Sequence, residues 1–143
     1  MLIDQISVFV ENKSGRLSQI TGVLSGEKID IRALSIADTT NFGILRLIVS
    51  DPVRAEQALK KNGFTVSRTQ VIAVRISDHP GSLHHVLEAL QKNDISVEYA
   101  YAFITRKHDD AYVILRVEDN ARAIDILRES GVELLRAEEV YTI

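Results

Sequence analysis

Two features of the sequence predict an α+β protein of two βαββαβ modules, each an antiparallel sheet with two helices on one face. The first is a repeat: Val10-Glu11-Asn12-Lys13-Ser14-Gly15-Arg16-Leu17 returns as Ile76-Ser77-Asp78-His79-Pro80-Gly81-Ser82-Leu83. Gly15 to Gly81 is 81 minus 15, or 66 residues, and the same offset pairs Ile6 with Ile72, Val8 with Val74, Ile20 with Val86, Leu24 with Leu90 and Ile29 with Ile95. The second is the order of hydrophobic periods in each copy, which reads strand, helix, strand, strand, helix, strand. That order gives the ferredoxin-like, split βαβ arrangement.

In the first copy Ile6, Val8 and Val10 alternate with Ser7, Phe9 and Glu11, as in a strand with one face on a core. From Arg16 to Lys28, Leu17, Ile20, Val23 and Leu24 lie three and four apart and predict a helix with one buried stripe. A strand from Ile29 through Leu34 and Ile36, a polar turn at Asp38-Thr39-Thr40-Asn41, and a strand from Ile44 to Ser50 form a hairpin. Asp51-Pro52 starts a second helix: the Asp side chain accepts free N–H groups of the first turn, and Pro suits the first helical position. Ala55, Ala58 and Leu59 mark its inner face, Gly63 closes it, and Phe64 to Arg68 reads as the fourth strand.

The second copy follows with a strand at Ile72–Ile76, a helix near Ser82–Lys92, strands at Val97–Thr105 and Ala111–Val117, a helix near Ala121–Glu129, and a last strand from Val132. Asp119 and Gly131 answer Asp51 and Gly63 at an offset of 119 minus 51, or 68, so the copy gains its extra length in the turn Arg106-Lys107-His108-Asp109-Asp110. The expected modules are 1–69 and 70–143. Thr69-Gln70-Val71 leads almost directly into the second copy, so no loose tether separates them.

Modules of about seventy residues bury only about 60% of their unfolded surface, so they are expected to share core with each other or with a second chain. Phe9, Leu34, Ile36, Ile44 and Ile48 in the first copy, and Ala73, Ala100, Ala102, Tyr112 and Ile114 in the second, are assigned to the sheet face without helices. Apolar residues there imply a covered face. Together with free sheet edges they point to a homodimer.

The composition, 45% hydrophobic and 26% charged, is that of a globular protein, and no apolar run approaches the roughly 20 residues of a membrane span. Met1-Leu2-Ile3-Asp4 lacks the features of a signal peptide, and a cytoplasmic location is expected. The absence of cysteine removes disulfides, thiol nucleophiles and thiolate metal sites. A net charge of -3 argues against a nucleic-acid partner, whose phosphates need neutralising.

A Gly turn feeding a helix start offers unpaired N–H groups and the positive end of the helix dipole, which suit a ligand carboxylate. Asn12-Lys13-Ser14-Gly15-Arg16-Leu17 and Asp78-His79-Pro80-Gly81-Ser82-Leu83, with Ile29-Asp30-Ile31 and Ile95-Ser96-Val97 after the first helices, resemble a tandem ACT-domain protein. That family is a small ligand-sensing module attached to many enzymes of amino-acid metabolism. Family members commonly show Asn-x-Pro-Gly-x-Leu; the second copy keeps Pro80-Gly81, while the first has Ser14 before Gly15.

The resemblance implies a non-catalytic regulator that binds an amino acid at the Gly turns and needs no cofactor, with a protein partner to receive its output. The implied contacts are Asn12, Ser14, Gly15, Arg16, Leu17 and Asp30 in the first copy, and Asp78, Pro80, Gly81, Ser82, Leu83 and Ser96 in the second. In the family the residue ending the first strand of one module meets the residue opening the second strand of another. Asn12 would then join Ser96 in a neutral pocket and Asp78 would join Asp30 in an acidic one. The acidic pair suits an ammonium group better, although Pro80 removes a backbone donor that Ser14 retains.

Two rival readings carry less. RNA-recognition modules share the element order, and Val8-Phe9-Val10-Glu11-Asn12 and Asn41-Phe42-Gly43-Ile44-Leu45-Arg46 faintly resemble their strands, but Ile44 and Leu47 stand where aromatics are needed. A small metal enzyme could use His84 and Glu88, an i, i+4 pair, among the histidines His79, His84, His85 and His108. Ser18 and Gln19 occupy the places of His84 and His85 in the first copy, which argues for a solvated face. Gly22 to Lys28 has the wrong glycine spacing for a phosphate loop.

Overall fold

The computed structural model describes residues 1–38, 41–104 and 109–142. The turn residues Thr39, Thr40, Arg106, Lys107 and His108, and the Thr105 end of an expected strand, lie outside the described residues. Contacts divide the chain into two compact units, Asp4–Thr69 and Gln70–Tyr141, the latter including Met1–Ile3.

The first unit contains β1 (Leu2–Glu11), α1 (Arg16–Gly26), β2 (Ile31–Asp38), β3 (Phe42–Val49), α2 (Pro52–Lys61) and the start of β4 (Thr65–Ser77), in the strand order β2-β3-β1-β4. β1 and β2 each pair antiparallel with β3. Ile20 and Leu24 of α1 and Ala55 and Leu59 of α2 form one core with Ile6, Val8, Leu45, Leu47 and Val49 on the helix-bearing face of the sheet. Each large apolar side chain in that core contributes about 1.5 to 3 kcal/mol by leaving water. Asp51 accepts from the Arg54 N–H at 3.2 Å, and Gly63, at φ 86, takes the left-handed position beyond α2.

The second unit contains the rest of β4, α3 (Ser82–Gln91), β5 (Val97–Ile104), β6 (Asp110–Val117), α4 (Asn120–Glu129), β7 (Glu133–Leu134) and α5 (Ala137–Tyr141). β4 pairs with both β6 and β7, and β5 pairs with β6. Val86, Leu90, Ala123 and Leu127 complete a core of the same design with Ile72, Val74, Val113 and Leu115. Asp119 repeats the cap of Asp51, accepting from the Arg122 N–H at 3.1 Å.

Four departures from expectation have physical causes. The strands expected at 64–68 and 72–76 are one strand, β4, because the link between them contains no residue that breaks extended backbone. The last strand stops at Leu134: Ala137, Glu138 and Glu139 are better helix formers than strand formers, and the two carboxylates suit the positive end of α5. Leu17 does not join the buried stripe of α1; it is 44% exposed at the helix start, as is its counterpart Leu83 at 41%.

The fourth concerns which face the edge strands present. Leu34 pairs with Leu47 and Ile36 with Leu45, and both partners belong to the helix-side core, so Leu34 and Ile36 lie on the helix-bearing face and not on the opposite one. A bulge between Ile31 and Ala33 slips the alternation by one residue, which exchanges the two faces. The second unit repeats it: a shift between Val97 and Tyr99 puts Ala100 opposite Leu115 and Ala102 opposite Val113 on the helix side. Tyr99, Tyr101 and Phe103 take the other face instead. Of the remaining residues assigned to that face, Ile48, Ala73, Tyr112 and Ile114 are buried within the chain, whereas Phe9 and Ile44 are exposed.

Candidate functional site

Both Gly turns are built alike. Gly15 (φ 85) and Gly81 (φ 94) hold left-handed backbone that other residues adopt only with strain, and each begins a helix by accepting from the amide four residues on, Gln19 and His85, at 3.0 Å. The strand end is pinned to the opposite turn in each unit, by Asn12 N–H to the Asn41 carbonyl at 2.9 Å and Asp78 N–H to the Asp109 carbonyl at 2.6 Å. The Arg16 and Ser82 amides reach back to the Lys13 and His79 carbonyls at 3.4 and 3.2 Å. No hydrogen bond among the described residues engages the amides of Ser14, Gly15, Leu17 and Ser18, or of Gly81, Leu83 and His84. Each turn therefore presents N–H donors to an anion, and Pro80 leaves the second turn without the donor that Ser14 supplies.

The side chains differ more than the backbones. In the first unit the Glu11 carboxylate meets Lys13 Nζ at 2.9 Å and Arg16 Nη2 at 3.6 Å. A hydrogen bond from Lys13, its charge and then the charge of Arg16 hold the Glu11 carboxyl below the usual carboxylate range. Arg16 also donates to Gln19 Oε1 at 3.0 Å. In the second unit Ser82 takes the place of Arg16, its hydroxyl 2.9 Å from that of Ser77. Arg75 sits close by, with Glu133 at 2.7 Å and the Tyr112 hydroxyl at 3.1 Å. The hydrogen bond with that hydroxyl is the main reason its guanidinium is held above its ordinary range.

A cleft adjoins each face of the first turn. One, about 210 Å³, lies toward β2 and is lined by Asn12, Lys13, Leu17, Ile36 and Asp38. The other, about 830 Å³, lies toward the end of α2 and is lined by Gln19, Gly22, Val23, Asn62 and Phe64; Glu11 and Arg16 line both. The second turn has a groove of about 570 Å³ that includes Pro80, Gly81, Ser82, His85, Arg75 and Glu133.

Asp30 and Ser96 lie elsewhere. β1 and β2 both run antiparallel to β3, so Asn12 stands at the Gly43 end of β3 while Asp30 stands beside Ser50 at the other, its N–H bound to the Ser50 hydroxyl at 3.0 Å. The length of β2 separates them, on the order of 25 Å at ~3.3 Å per residue. Asp78 and Ser96 are separated in the same way within the second unit. Asp30 is paired with Arg32 at 3.5 Å and lines a cleft with Thr21 and Lys28; Ser96 lines one with Glu118, Asp119 and Arg122. A single module thus does not bring together the residues ending its first strand and opening its second.

Sequence reasoning missed Gly22, Asn62, Phe64 and Arg75. The first three come from segments about forty residues apart that meet only when α1 and α2 pack on one sheet. Arg75 lies opposite Tyr112 on the helix-free face of β4, where nothing in the sequence marks it out. Among the described residues no group of acidic or histidine side chains could hold a metal ion. His84 Nε2 lies 3.4 Å from the Glu88 carboxylate, and both side chains are exposed. No described helix is long and apolar enough to cross a membrane.

A family model for the ACT domain pair matches residues 1–143, the whole chain. This chain belongs to the ACT domain pair family. A solved protein from Bacteroides thetaiotaomicron is 42% identical, with 100% of this chain and 98% of that one covered and a TM-score of 0.94. The regulatory subunit of aspartate kinase from Thermus thermophilus, in its ligand-free form, shares the ACT-pair fold at a TM-score of 0.67 and 15% identity, over 90% of this chain and 93% of that one. The corresponding subunit from Thermus flavus matches at 0.61 and 14%, over 90% and 92%. No curated protein matches. The ACT-pair assignment makes the chain a member of a regulatory, amino-acid-binding family.

Proposed function

We propose that this ACT pair is a non-catalytic sensor of an amino acid, bound through its carboxylate at the Gly turns, and that it works as a homodimer which passes the signal to a protein partner. The observation that carries the reading is the repeated left-handed glycine at a helix start, with neighbouring amides that no hydrogen bond among the described residues engages in either unit. The ligand's carboxylate meets the amides of Ser14, Gly15 and Leu17 or of Gly81 and Leu83, with Arg16 and Ser82 beside it. Pairing of modules supplies the ammonium contact, Ser96 facing Asn12 and Asp30 facing Asp78. The aspartate kinase neighbours, being regulatory subunits in name, support the regulatory half of the proposal.

A thermal-shift panel of the twenty amino acids tests it first, because a ligand at 100 times its Kd stabilises the folded chain by about 2.7 kcal/mol. Titration calorimetry on Asp78→Ala and Asn12→Ala then locates the site. Loss of a charged hydrogen bond at Asp78 is expected to cost on the order of 1.5 to 3 kcal/mol, more than the change at Asn12. Unchanged affinity in both variants would remove the Gly-turn site.

A further inference from the structure

The middle of α1 contains a glycine that the fold does not require. Gly22 is exposed, its φ lies outside the left-handed region, and a Cβ built on it meets nothing within 4 Å. Neither backbone strain nor close packing therefore explains it, and alanine would form the helix better. At the equivalent position, 22 plus 66, the second unit has Glu88. Gly22 lies instead on the wall of the groove of about 830 Å³ between α1 and the turn after α2.

That groove has the size and mixed lining of a ligand site, commonly about 300–1,000 Å³ with apolar walls and a few polar groups. Val10, Val23 and Phe64, partly buried against the core, supply the apolar wall. Arg16 and Glu11 stand at one end, 3.6 Å apart, with Lys13 Nζ 2.9 Å from the Glu11 carboxylate and Gln19 Oε1 accepting from Arg16 at 3.0 Å. The counterpart groove of the second unit has Ser82 in the place of Arg16, and its arginine, Arg75, comes from β4 and pairs with Glu133 at 2.7 Å.

We propose that the first unit's groove binds an α-amino acid with a branched or aromatic apolar side chain. The carboxylate meets Arg16 at the start of α1, the ammonium meets Glu11, and the side chain lies along Val10, Val23 and Phe64 across the bare backbone of Gly22. The proposal rests on the amino-acid reading above, gives the first unit's ammonium contact to Glu11 in place of Ser96 and Asn12, and adds the class of side chain and the place where it is held. A methyl group at position 22 would occupy the ligand's space without disturbing the protein.

Calorimetry and thermal unfolding of the full chain test it with L-leucine, L-phenylalanine, glycine and 4-methyl-2-oxopentanoate as probes. Leucine or phenylalanine is expected to bind at least roughly tenfold tighter than glycine, as a buried apolar side chain should. Leucine should also bind tighter than its oxo acid, which lacks the ammonium group. Gly22→Ala is expected to raise Tm by about 2 to 4 °C while weakening the favoured amino acid roughly tenfold. Full affinity in Gly22→Ala, or an oxo acid bound as tightly as leucine, overturns the proposal. Tight glycine binding that Gly22→Ala leaves intact overturns the groove alone and spares the Gly-turn reading. No binding of any of the twenty amino acids removes both.

Discussion

Glu56 shows how single residues in this chain couple stability to pH. It lies on α2 with Lys60 Nζ at 3.1 Å and Arg68 Nε at 2.7 Å, and its side chain is only 18% exposed. Burial alone would raise its pKa, but the hydrogen bond and charge of Lys60, then those of Arg68, outweigh it and hold the carboxyl below the usual carboxylate range. A carboxyl lowered on folding adds stability above its unfolded pKa and loses it as pH falls through the folded one. Glu56→Gln is therefore expected to cost about 1 kcal/mol at pH 7, and less at pH 3, where the stabilisation by the lowered carboxyl is being lost. Chemical denaturation at the two pH values checks this; an equal cost at both would assign the effect to packing. Glycines at this scale were readable only where a turn demanded them: Gly15 and Gly81 announce themselves by motif, but Gly22 reads as an ordinary helix residue until the groove beside it is seen.

At the scale of elements, β2 is the part that sequence periodicity misassigned. Alternation from Ile29 placed Leu34 and Ile36 away from the helices, and the bulge after Ile31 reverses this. The consequence is an edge strand whose helix-side residues are 55% and 47% exposed, near Leu17 at 44%. Edge strands with bare apolar side chains pair readily with a second chain, and this one is our candidate for the homodimer contact. Because both residues are already half in water, Leu34→Lys with Ile36→Lys should change the chain's own stability by less than about 1 kcal/mol. Sedimentation should show a dimer for the parent chain and a monomer for the double variant. A dimer in both would place the contact elsewhere. Ile48, by contrast, is fully buried already, so a charge there would unfold the protein and report nothing about association.

At the scale of the whole molecule, the sequence repeat and the compact units differ in one respect that can be measured. Met1–Ile3 group with residues 70–141, Leu2 packs against the second core, and β4 runs unbroken from Thr65 to Ser77. Fragments 1–69 and 70–143 are therefore expected to unfold without cooperativity when expressed singly, since each loses part of a strand or of its core. A sharp thermal transition in either fragment would show that its module is self-sufficient. The sequence by itself determined the element order, the two caps at Asp51 and Asp119, both Gly turns and the ACT resemblance, because these depend on local backbone demands and on periods that span a few residues. Only the tertiary structure decided which face Leu34, Ile36, Ala100 and Ala102 occupy, that Asn12 and Asp30 stand at opposite ends of one sheet, and that Gly22 meets Phe64 across a groove. Those facts depend on register and on the packing of segments far apart in the chain, and a single bulged residue, which leaves no mark on composition, exchanges the faces of everything after it.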